Sequence, residues 1–244
     1  MLYHGTTWKF DSFDIDKSRE LNFIGDGVYL TTSESDAHKN YSCVGPDLKM
    51  RLWEKIDELQ FIGDEDDSQG LTKEEAIYKA ANEIIGEHSI VLQCELIEEC
   101  RVLVINSDKP VYFNMFNMDF DCDSEIIENT DEYNNIAGVF ECLGVDYEDF
   151  LIDSEISALD IFKFCRKHFE EIEYQNLFTE VVCALGYHAV RFVNIGKFLH
   201  MYHSQKHDHI IVFNKDMIRI VDVHDNETNT RQEYLEAHNV CVPC

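Results

Sequence analysis

Gly25-Asp26-Gly27-Val28-Tyr29-Leu30-Thr31-Thr32 decides the fold, together with Tyr3-His4-Gly5-Thr6 earlier in the chain. The β-branched and aromatic residues at 28–31 predict a strand, and residues 1–7 predict a strand that opens into a polar turn. A His-Gly pair on one strand and a Gly-x-Gly turn before another form a compact cleft for a flat, phosphate-bearing ligand. Residues 33–41 predict a helix that Ser33 or Ser35 can cap, with Ala37 and Tyr41 one turn apart on one face.

The rest of the chain alternates predicted helices and strands. Helices are predicted from apolar positions at spacings of three and four and from caps such as the capping box Thr72-Lys73-Glu74-Glu75. Short β-rich runs predict the strands. The predicted helices cover residues 48–62, 72–85 and 176–185, with a further start at Ser157 and Asp160. The predicted strands cover residues 90–96, 101–105, 188–193, 210–213 and 218–221. After Asp222 the pattern weakens.

Composition indicates a folded, acidic protein. The chain has 244 residues, of which 45% are hydrophobic, with 16 Phe and 11 Tyr, so a packed core is expected. The formal net charge of −28 disfavours unassisted binding to a phosphate backbone and argues against a general DNA-binding module.

Half of the excess charge lies in one block, residues 119–173. This block holds 17 Asp or Glu and three Lys or Arg, a net of −14. Apolar positions still recur through it, as at Phe140, Leu151 and Phe162, so the pattern favours a folded, mainly helical insertion over an acidic tail. The insertion either docks a basic partner or forms a helical cap.

Cysteine usage favours a reducing compartment. The nine cysteines lack paired spacing, apart from Cys241-Val242-Pro243-Cys244, which we interpret as a tail with free thiols rather than a zinc site. No basic segment followed by an apolar run opens the chain, so we expect no secretory signal and a cytoplasmic protein. No apolar stretch reaches the roughly 20 residues of a membrane span. We expect no metal, although four histidines cluster in sequence at 200, 203, 207 and 209.

The ordered motifs resemble the ADP-ribosyltransferase superfamily, in its diphtheria-toxin and poly-ADP-ribose polymerase branch. In that family a Gly-x-Gly-[Ile/Val]-Tyr strand precedes a helix ending in a second Tyr, and Tyr41 fits this position within one residue. His209-Ile210-Ile211-Val212-Phe213, followed by an Ile-containing strand, matches the family's late strand pair. The resemblance covers residues 1–45, 88–110 and 175–223.

The resemblance implies a fold and a domain plan. The fold is α+β, a split antiparallel β-sheet ADP-ribosyltransferase core with flanking helices and the acidic, mainly helical insertion. We predict a single domain over residues 1–244, with a helical insertion at about 48–87 and the acidic insertion at about 111–174.

The same resemblance suggests an NAD site. Cleavage of the nicotinamide–ribose bond passes through an oxocarbenium-like state, which an enzyme stabilises with placed charges and hydrogen bonds. His4 would bind a ribose hydroxyl, and the Gly5 backbone would approach the nicotinamide amide. Tyr29 and Tyr41 would stack on the ring. The remaining expected contacts are with Thr6, Gly27 and Thr31. Each of these residues also has an ordinary structural reading as a strand-end, turn or core residue.

The family pattern breaks at the catalytic acid. The usual Glu aligns with His209, and Asp208 lies one residue earlier. Neighbouring strand residues face opposite sides, so only a bulge would turn both into one cleft. Asp208 could stabilise the developing cation or activate an acceptor, and His209 could act as a base. Arg191 could meet a phosphate or an internal carboxylate.

We therefore predict an NAD-dependent mono-ADP-ribosyltransferase that uses NAD as co-substrate, in the manner of a bacterial or phage toxin or effector. Its acceptor would be a protein or a nucleic acid, RNA or DNA, and an antitoxin or other basic protein would bind the acidic insertion. An RNA acceptor would require the His- and Lys-rich stretch 197–209 as a basic groove. The alternatives are an inactive module that binds NAD, ADP-ribose or a partner, and a nucleic-acid mimic.

Overall fold

The computed structural model describes residues 1–15, 26–61, 70–114, 155–167, 176–198 and 206–240. Within them the chain is α+β and divides into two compact units. The first unit holds Met1–Phe13, Leu30–Glu95 and Arg219–Cys244, and the second holds Asp14–Tyr29 and Leu96–Ile218. The single domain over residues 1–244 stays a prediction beside this division.

The described secondary structure consists of strands, α-helices and short helices of other types. The strands are β1 (Leu2–Thr6), β2 (Val28–Thr31), β3 (Ile90–Leu96), β4 (Val102–Ile105), β5 (Tyr112–Asn114), β6 (Glu155–Ser157), β7 (Ala189–Phe192), β8 (His209–Val212) and β9 (Ile218–Asp225). The α-helices are α1 (Glu34–Asp36), α2 (Pro46–Gln60), α3 (Lys73–Ile84), α4 (Ala158–Lys167), α5 (Leu177–Ala184) and α6 (Thr230–Ala237). A π-helix covers Ala37–Ser42, and 3₁₀ turns cover Ile195–Lys197 and Lys215–Met217.

The first unit combines antiparallel strands with three packed helices. Its strand order is β2-β1-β3-β9. Strand β1 pairs with β3 along its whole length, from Leu2 opposite Cys94 to Thr6 opposite Ile90, and its pairing with β2 is registered at Tyr3 and Thr31. Helix α3 packs against both α2 and α6. The buried side chains of this cluster include Leu52, Ala80 and Leu235, so burial of apolar surface holds the three helices together.

The second unit contains the parallel strand pair. Its order is β4-β7-β8-β2, with β7 parallel to β4 and antiparallel to β8. Strands β5 and β6 form a separate antiparallel pair. Helices α4 and α5 pack on each other, and Phe162, Phe178 and Phe192 meet in edge and tilted contacts in their core. Such aromatic pairs add to the stabilisation from buried area.

Local sequence signals explain most element boundaries. Both halves of the predicted capping box form, with Glu75 N donating to Thr72 Oγ1 at 3.3 Å and Thr72 N donating to Glu75 Oε2 at 3.0 Å. Ser157 Oγ accepts from Asp160 N at 3.1 Å, which confirms the predicted start of α4. Gly186, at φ 75°, follows α5 in the left-handed region that glycine tolerates.

Three features differ from the sequence predictions. The helix after β2 continues as a π-helix, and the short pair β5–β6 was not predicted. At the C-terminal end, β9 extends to Asp225 and α6 follows it, capped by Asn229 Oδ1 accepting from Gln232 N at 3.0 Å. The sequence did not predict the end of β9 or helix α6, because the apolar pattern after Asp222 is weak. It is weak since β9 exposes most of its residues and α6 buries few.

Strand β9 carries an exposed ion-pair cluster. His224 lies between two carboxylates, with Nδ1 3.0 Å from Glu34 Oε1 and Nε2 3.1 Å from Asp222 Oδ2. These hydrogen bonds, the one to Glu34 first, raise the pKa of His224 above its ordinary value. Val221 and Val223 alternate with these polar residues and are also exposed.

The two predicted insertions are described to different extents. Helices α2 (Pro46–Gln60) and α3 (Lys73–Ile84) cover much of residues 48–87, and the assignment of this segment as an insertion stays a prediction. Of the acidic segment 111–174, the structure describes β5, β6 and α4, and residues 115–154 and 168–174 lie outside the described ranges. Among the described helices, none is both long and apolar enough to span a membrane.

Candidate functional site

The predicted site residues divide between the two units. His4, Gly5, Thr6, Thr31 and Tyr41 belong to the first, and Gly27, Tyr29, Asp208 and His209 belong to the second. The two tyrosines expected to stack on the nicotinamide ring therefore belong to different units, and both residues expected to supply an acid or base belong to the second.

His4 lies on β1 in an aromatic setting. Its ring meets Phe13 edge-on at a centroid distance of 5.2 Å and Phe10 at 6.1 Å, and the two phenylalanines contact each other at 5.4 Å. Phe13 is buried, so the segment after β1 fixes the orientation of the imidazole. His4 itself is half-buried, and a polar group can still reach it.

Gly5 lies directly beneath the π-helix. A Cβ at this position would overlap the carbonyl of Ala37 and lie 2.8 Å from Tyr41 Cβ. Only glycine therefore allows the helix that carries Tyr41 to rest on β1 at this distance. The side-chain direction of Gly5 is filled by protein, so a ligand can contact this residue only through its backbone groups.

Strand alternation separates His4 from Tyr41. Consecutive residues of a strand face opposite sides, and Gly5 faces the π-helix. His4 therefore leaves β1 on the face opposite to Tyr41. Because β1 pairs with β2 on one side and with β3 on the other, a ligand that contacts both side chains has to lie at an end of the strand.

The two threonines of the predicted site hold local backbone turns. Thr6 Oγ1 donates to Trp8 O at 3.3 Å and accepts from Trp8 N at 3.1 Å, which closes the turn after β1. Thr31 Oγ1 accepts from the backbone N–H of Ser33, the N-cap residue of α1, at 3.2 Å. Both threonines are buried. Their hydroxyl groups thus position the strand ends from which His4 and the Tyr41 helix project.

A buried acid in the first unit escaped the sequence analysis. Asp36 ends α1, is 6% exposed and accepts a short hydrogen bond from the Asn40 side-chain amide. Helix α1 packs on β1. The spacing of four residues between Asp36 and Asn40 was the available signal, since side chains at i and i+4 meet on a helix. Asp36 places a carboxylate close to the strand of His4 and Gly5.

In the second unit Gly27 and Tyr29 are held by strand β8 and the core. A Cβ on Gly27 would lie 2.6 Å from the Ile211 methyl group and 3.0 Å from Val212 O, so glycine is needed for β8 to approach. Asn176 anchors the preceding residue, accepting from Asp26 N at 3.2 Å and donating to its carboxylate at 3.1 Å. Tyr29 is half-buried and packs on the apolar cluster of this unit.

Asp208 forms an internal ion pair with Arg191. Arg191 Nε lies 2.8 Å from Asp208 Oδ2, and Arg191 Nη2 also donates to that oxygen. Asp208 Oδ1 accepts from Asn194 N at 2.9 Å, where Asn194 adopts a left-handed conformation at φ 60°. The sequence left open whether Arg191 meets a phosphate or an internal carboxylate, and in the structure it binds the carboxylate of Asp208. The Asp208 side chain is only 15% exposed, and its contacts organise the connection between β7 and β8.

His209 opens β8 and is 6% exposed. It lies opposite Phe192 in the register with β7, and its ring stacks on His207 at a centroid distance of 5.4 Å and an interplanar angle of 22°. Asp208 and His209 thus have different surroundings, as strand alternation requires. His200 and His203, like Cys241 and Cys244, lie outside the described residues.

No family model matches the chain, and comparison with curated proteins and with solved structures gave no match.

Proposed function

We propose that the protein is an NAD-dependent mono-ADP-ribosyltransferase that transfers ADP-ribose to a macromolecular acceptor. One observation carries the proposal. The His4-Gly5 pair lies on a strand whose glycine is covered by the helix bearing Tyr41. Because protein fills the Cβ side of Gly5, a flat carboxamide would meet this residue only through its backbone groups, and we assign His4 to the ribose and Tyr41 to the ring.

The π-helix gives further support. A π-helix contains more residues per turn than an α-helix, and the bond from Cys43 N to His38 O at 3.1 Å spans five residues. Tyr41 fits the position of the family's second tyrosine within one residue, and a wider helical turn can absorb a difference of that size.

The chemistry assigns separate tasks to the remaining residues. The bond between the nicotinamide nitrogen and ribose C1′ breaks, and its electron pair leaves with nicotinamide. A lone pair of the acceptor then bonds to C1′, and a base takes the acceptor's proton. We assign that base to His209, which aligns with the family's usual Glu, and we assign Asp208 a structural role with Arg191 and Asn194. His4 binds a ribose hydroxyl, and Tyr29 and Tyr41 stack on the ring.

The first test is turnover by purified full-length protein. We expect release of nicotinamide from NAD and transfer of label to cellular protein or RNA. Replacing Tyr29 or His4 by Ala should lower the transfer rate by at least about tenfold, since each loses a substrate contact. His238→Gln, at an exposed histidine after α6, is the matched control and should retain the rate. Absence of both nicotinamide release and transfer contradicts the enzymatic proposal.

Two further variants separate the roles of Asp208 and His209. Asp208→Asn should lower stability, because it weakens a charge-assisted pair, yet retain transfer activity in the folded fraction. His209→Gln should lower transfer more than it lowers stability. A folded Asp208→Asn protein without transfer activity would move the catalytic assignment from His209 to Asp208.

The ion pair also favours one competing function, a module that binds NAD or ADP-ribose without turnover. An active enzyme of this class normally presents its acid to the substrate, whereas Asp208 is bound internally. This alternative predicts that NAD or ADP-ribose raises the melting temperature while no nicotinamide appears. Stabilisation that disappears in Tyr41→Ala, without turnover in wild type, would establish it.

A further inference from the structure

A second polar cluster lies in the first unit, around Cys43 at the end of the π-helix. Cys43 Sγ is 3.9 Å from both ring nitrogens of His38 and 3.9 Å from Ser89 Oγ. The backbone bond from Cys43 N to His38 O places both residues on the same helical turn. Cys43 and His38 are each half-buried, so solvent reaches the pair.

The His38 ring contacts polar groups from two segments of the chain, the π-helix and the residues after β9. Ser42 Oγ lies 3.0 Å from Nδ1 and donates to His38 O at 3.0 Å, and Asn226 Nδ2 lies 3.2 Å from Nδ1 and donates to Ser89 O at 3.0 Å. A proton on Nδ1 can be accepted by Ser42, whereas a lone pair on Nδ1 can accept from Asn226. The surroundings therefore support the ring in its neutral and in its protonated state.

We propose that Cys43 is a nucleophilic thiol that is modified by small carbon electrophiles, with the His38 imidazole as its proton acceptor. A thiol beside an oriented histidine is the arrangement that activates sulfur for attack. In the reaction the thiol proton moves to His38, sulfur bonds to the electrophilic carbon, and the leaving group departs with its bonding electrons. The imidazolium then releases its proton to water.

The other described thiols provide internal references. Burial raises the pKa of Cys94 to about 12 and moves the pKa of Cys165 in the same direction. Burial also raises the pKa of Cys100, and burial together with the charge of Glu180 raises that of Cys183. Among these, Cys183 is exposed and Cys100 is half-buried, so reagents can reach both, and we expect them to react slowly because their thiols stay protonated.

Iodoacetamide is the probe, used on the native full-length chain at pH 7 with the rate at each cysteine followed by peptide mass spectrometry. Here sulfur displaces iodide from the methylene carbon. We expect Cys43 to react at least about tenfold faster than Cys100 and Cys183. A Cys43 rate equal to that of Cys183 overturns the proposal, and this comparison requires no variant.

The role of His38 is tested by His38→Gln, with His238→Gln as the matched control in the same unit. His38→Gln should slow Cys43 by about tenfold and leave Cys183 unchanged, because only Cys43 loses its proton acceptor. Free imidazole should partly restore the Cys43 rate in His38→Ala. An unchanged Cys43 rate in a folded His38→Gln protein overturns the role of His38. Rapid labelling of the buried Cys94 and Cys165 would show that a variant is unfolded. In that case the comparison of the Cys43 and Cys183 rates in the wild-type protein tests the proposal.

Discussion

At the level of single residues, two glycines account for much of the local geometry around the proposed NAD contacts. Gly5 is covered by backbone of the π-helix, whereas Gly27 faces mainly a side-chain methyl of Ile211. The difference in what each missing Cβ would meet has an energetic consequence, because backbone cannot move aside as a side chain can.

Gly5→Ala should therefore destabilise the protein by about 2 kcal/mol or more, since overpacking against rigid neighbours typically costs 1–3 kcal/mol. Gly27→Ala should cost less, about 1 kcal/mol, because its Cβ would meet the Ile211 methyl at 2.6 Å and Val212 O at 3.0 Å. A Cβ on Gly5 would instead overlap the carbonyl oxygen of Ala37. Urea unfolding of both variants measures the difference. Equal losses, or a larger loss for Gly27→Ala, would contradict the described packing.

The ion pairs of His224 make one part of the stability depend on pH. Hydrogen bonds to Glu34 and Asp222 raise the pKa of His224, so the protonated ring binds more favourably in the folded chain. This contribution is complete below the unfolded value of about 6.5 and is lost as pH rises through the folded pKa. The melting temperature of wild type should thus exceed that of His224→Gln more at about pH 6 than at about pH 9. The melting temperature of wild type should likewise exceed that of Glu34→Gln more at the lower pH. A difference in melting temperature that does not vary with pH would contradict this role of His224.

At the level of elements, sequence reasoning worked where a boundary has its own chemical signal. Thr72 and Glu75 start α3, Ser157 starts α4, and Gly186 follows α5. It failed where tertiary context decides. The π-helix depends on close packing against Gly5, and β9 and α6 have weak apolar patterns because they bury little of their surface.

The capping box of α3 gives a direct test of such a signal. Thr72→Ala should lower the free energy of unfolding by about 1 kcal/mol, because the N-cap acceptor for Glu75 N is lost. Thr72→Ser keeps the hydroxyl group and should remain within about 0.5 kcal/mol of wild type. Urea unfolding distinguishes the two, and equal effects of both substitutions would show that the cap contributes little.

The candidate site was predictable only in part. The motif order located His4, Gly5 and Tyr29 on the correct type of element. The pairing of Asp208 with Arg191 could not be chosen beforehand, because a phosphate satisfies a guanidinium as well as a carboxylate does. The burial of Asp36 and the contact of Cys43 with His38 required the three-dimensional structure of the first unit.

At the level of the whole molecule, charge is the dominant property. With a formal net charge of −28, the acidic side chains repel one another, and this repulsion destabilises the compact folded state. Added salt screens this repulsion, with a Debye length that falls to about 10 Å at 0.1 M. We therefore expect the melting temperature to rise between about 20 mM and 300 mM NaCl, in differential scanning fluorimetry. KCl should have the same effect, since screening depends on ionic strength, and a fall with either salt would contradict this account.

Strand β9 has a practical consequence for the behaviour of the protein in concentrated solution. It is the last strand in the described order of the first unit, and it exposes Val221 and Val223. Such an edge is a template for intermolecular pairing, and the charges of Asp222 and Asp225 oppose it by repelling a second copy. Near the isoelectric point, at about pH 4.5, the net charge of the whole molecule falls to zero. The Asp222 carboxylate keeps its charge there, because hydrogen bonds from Val223 N and His224 lower its pKa. At that pH the net charge no longer keeps copies of the protein apart, and the carboxylates of β9 are what still opposes pairing at this edge, so storage well above it keeps the molecules dispersed.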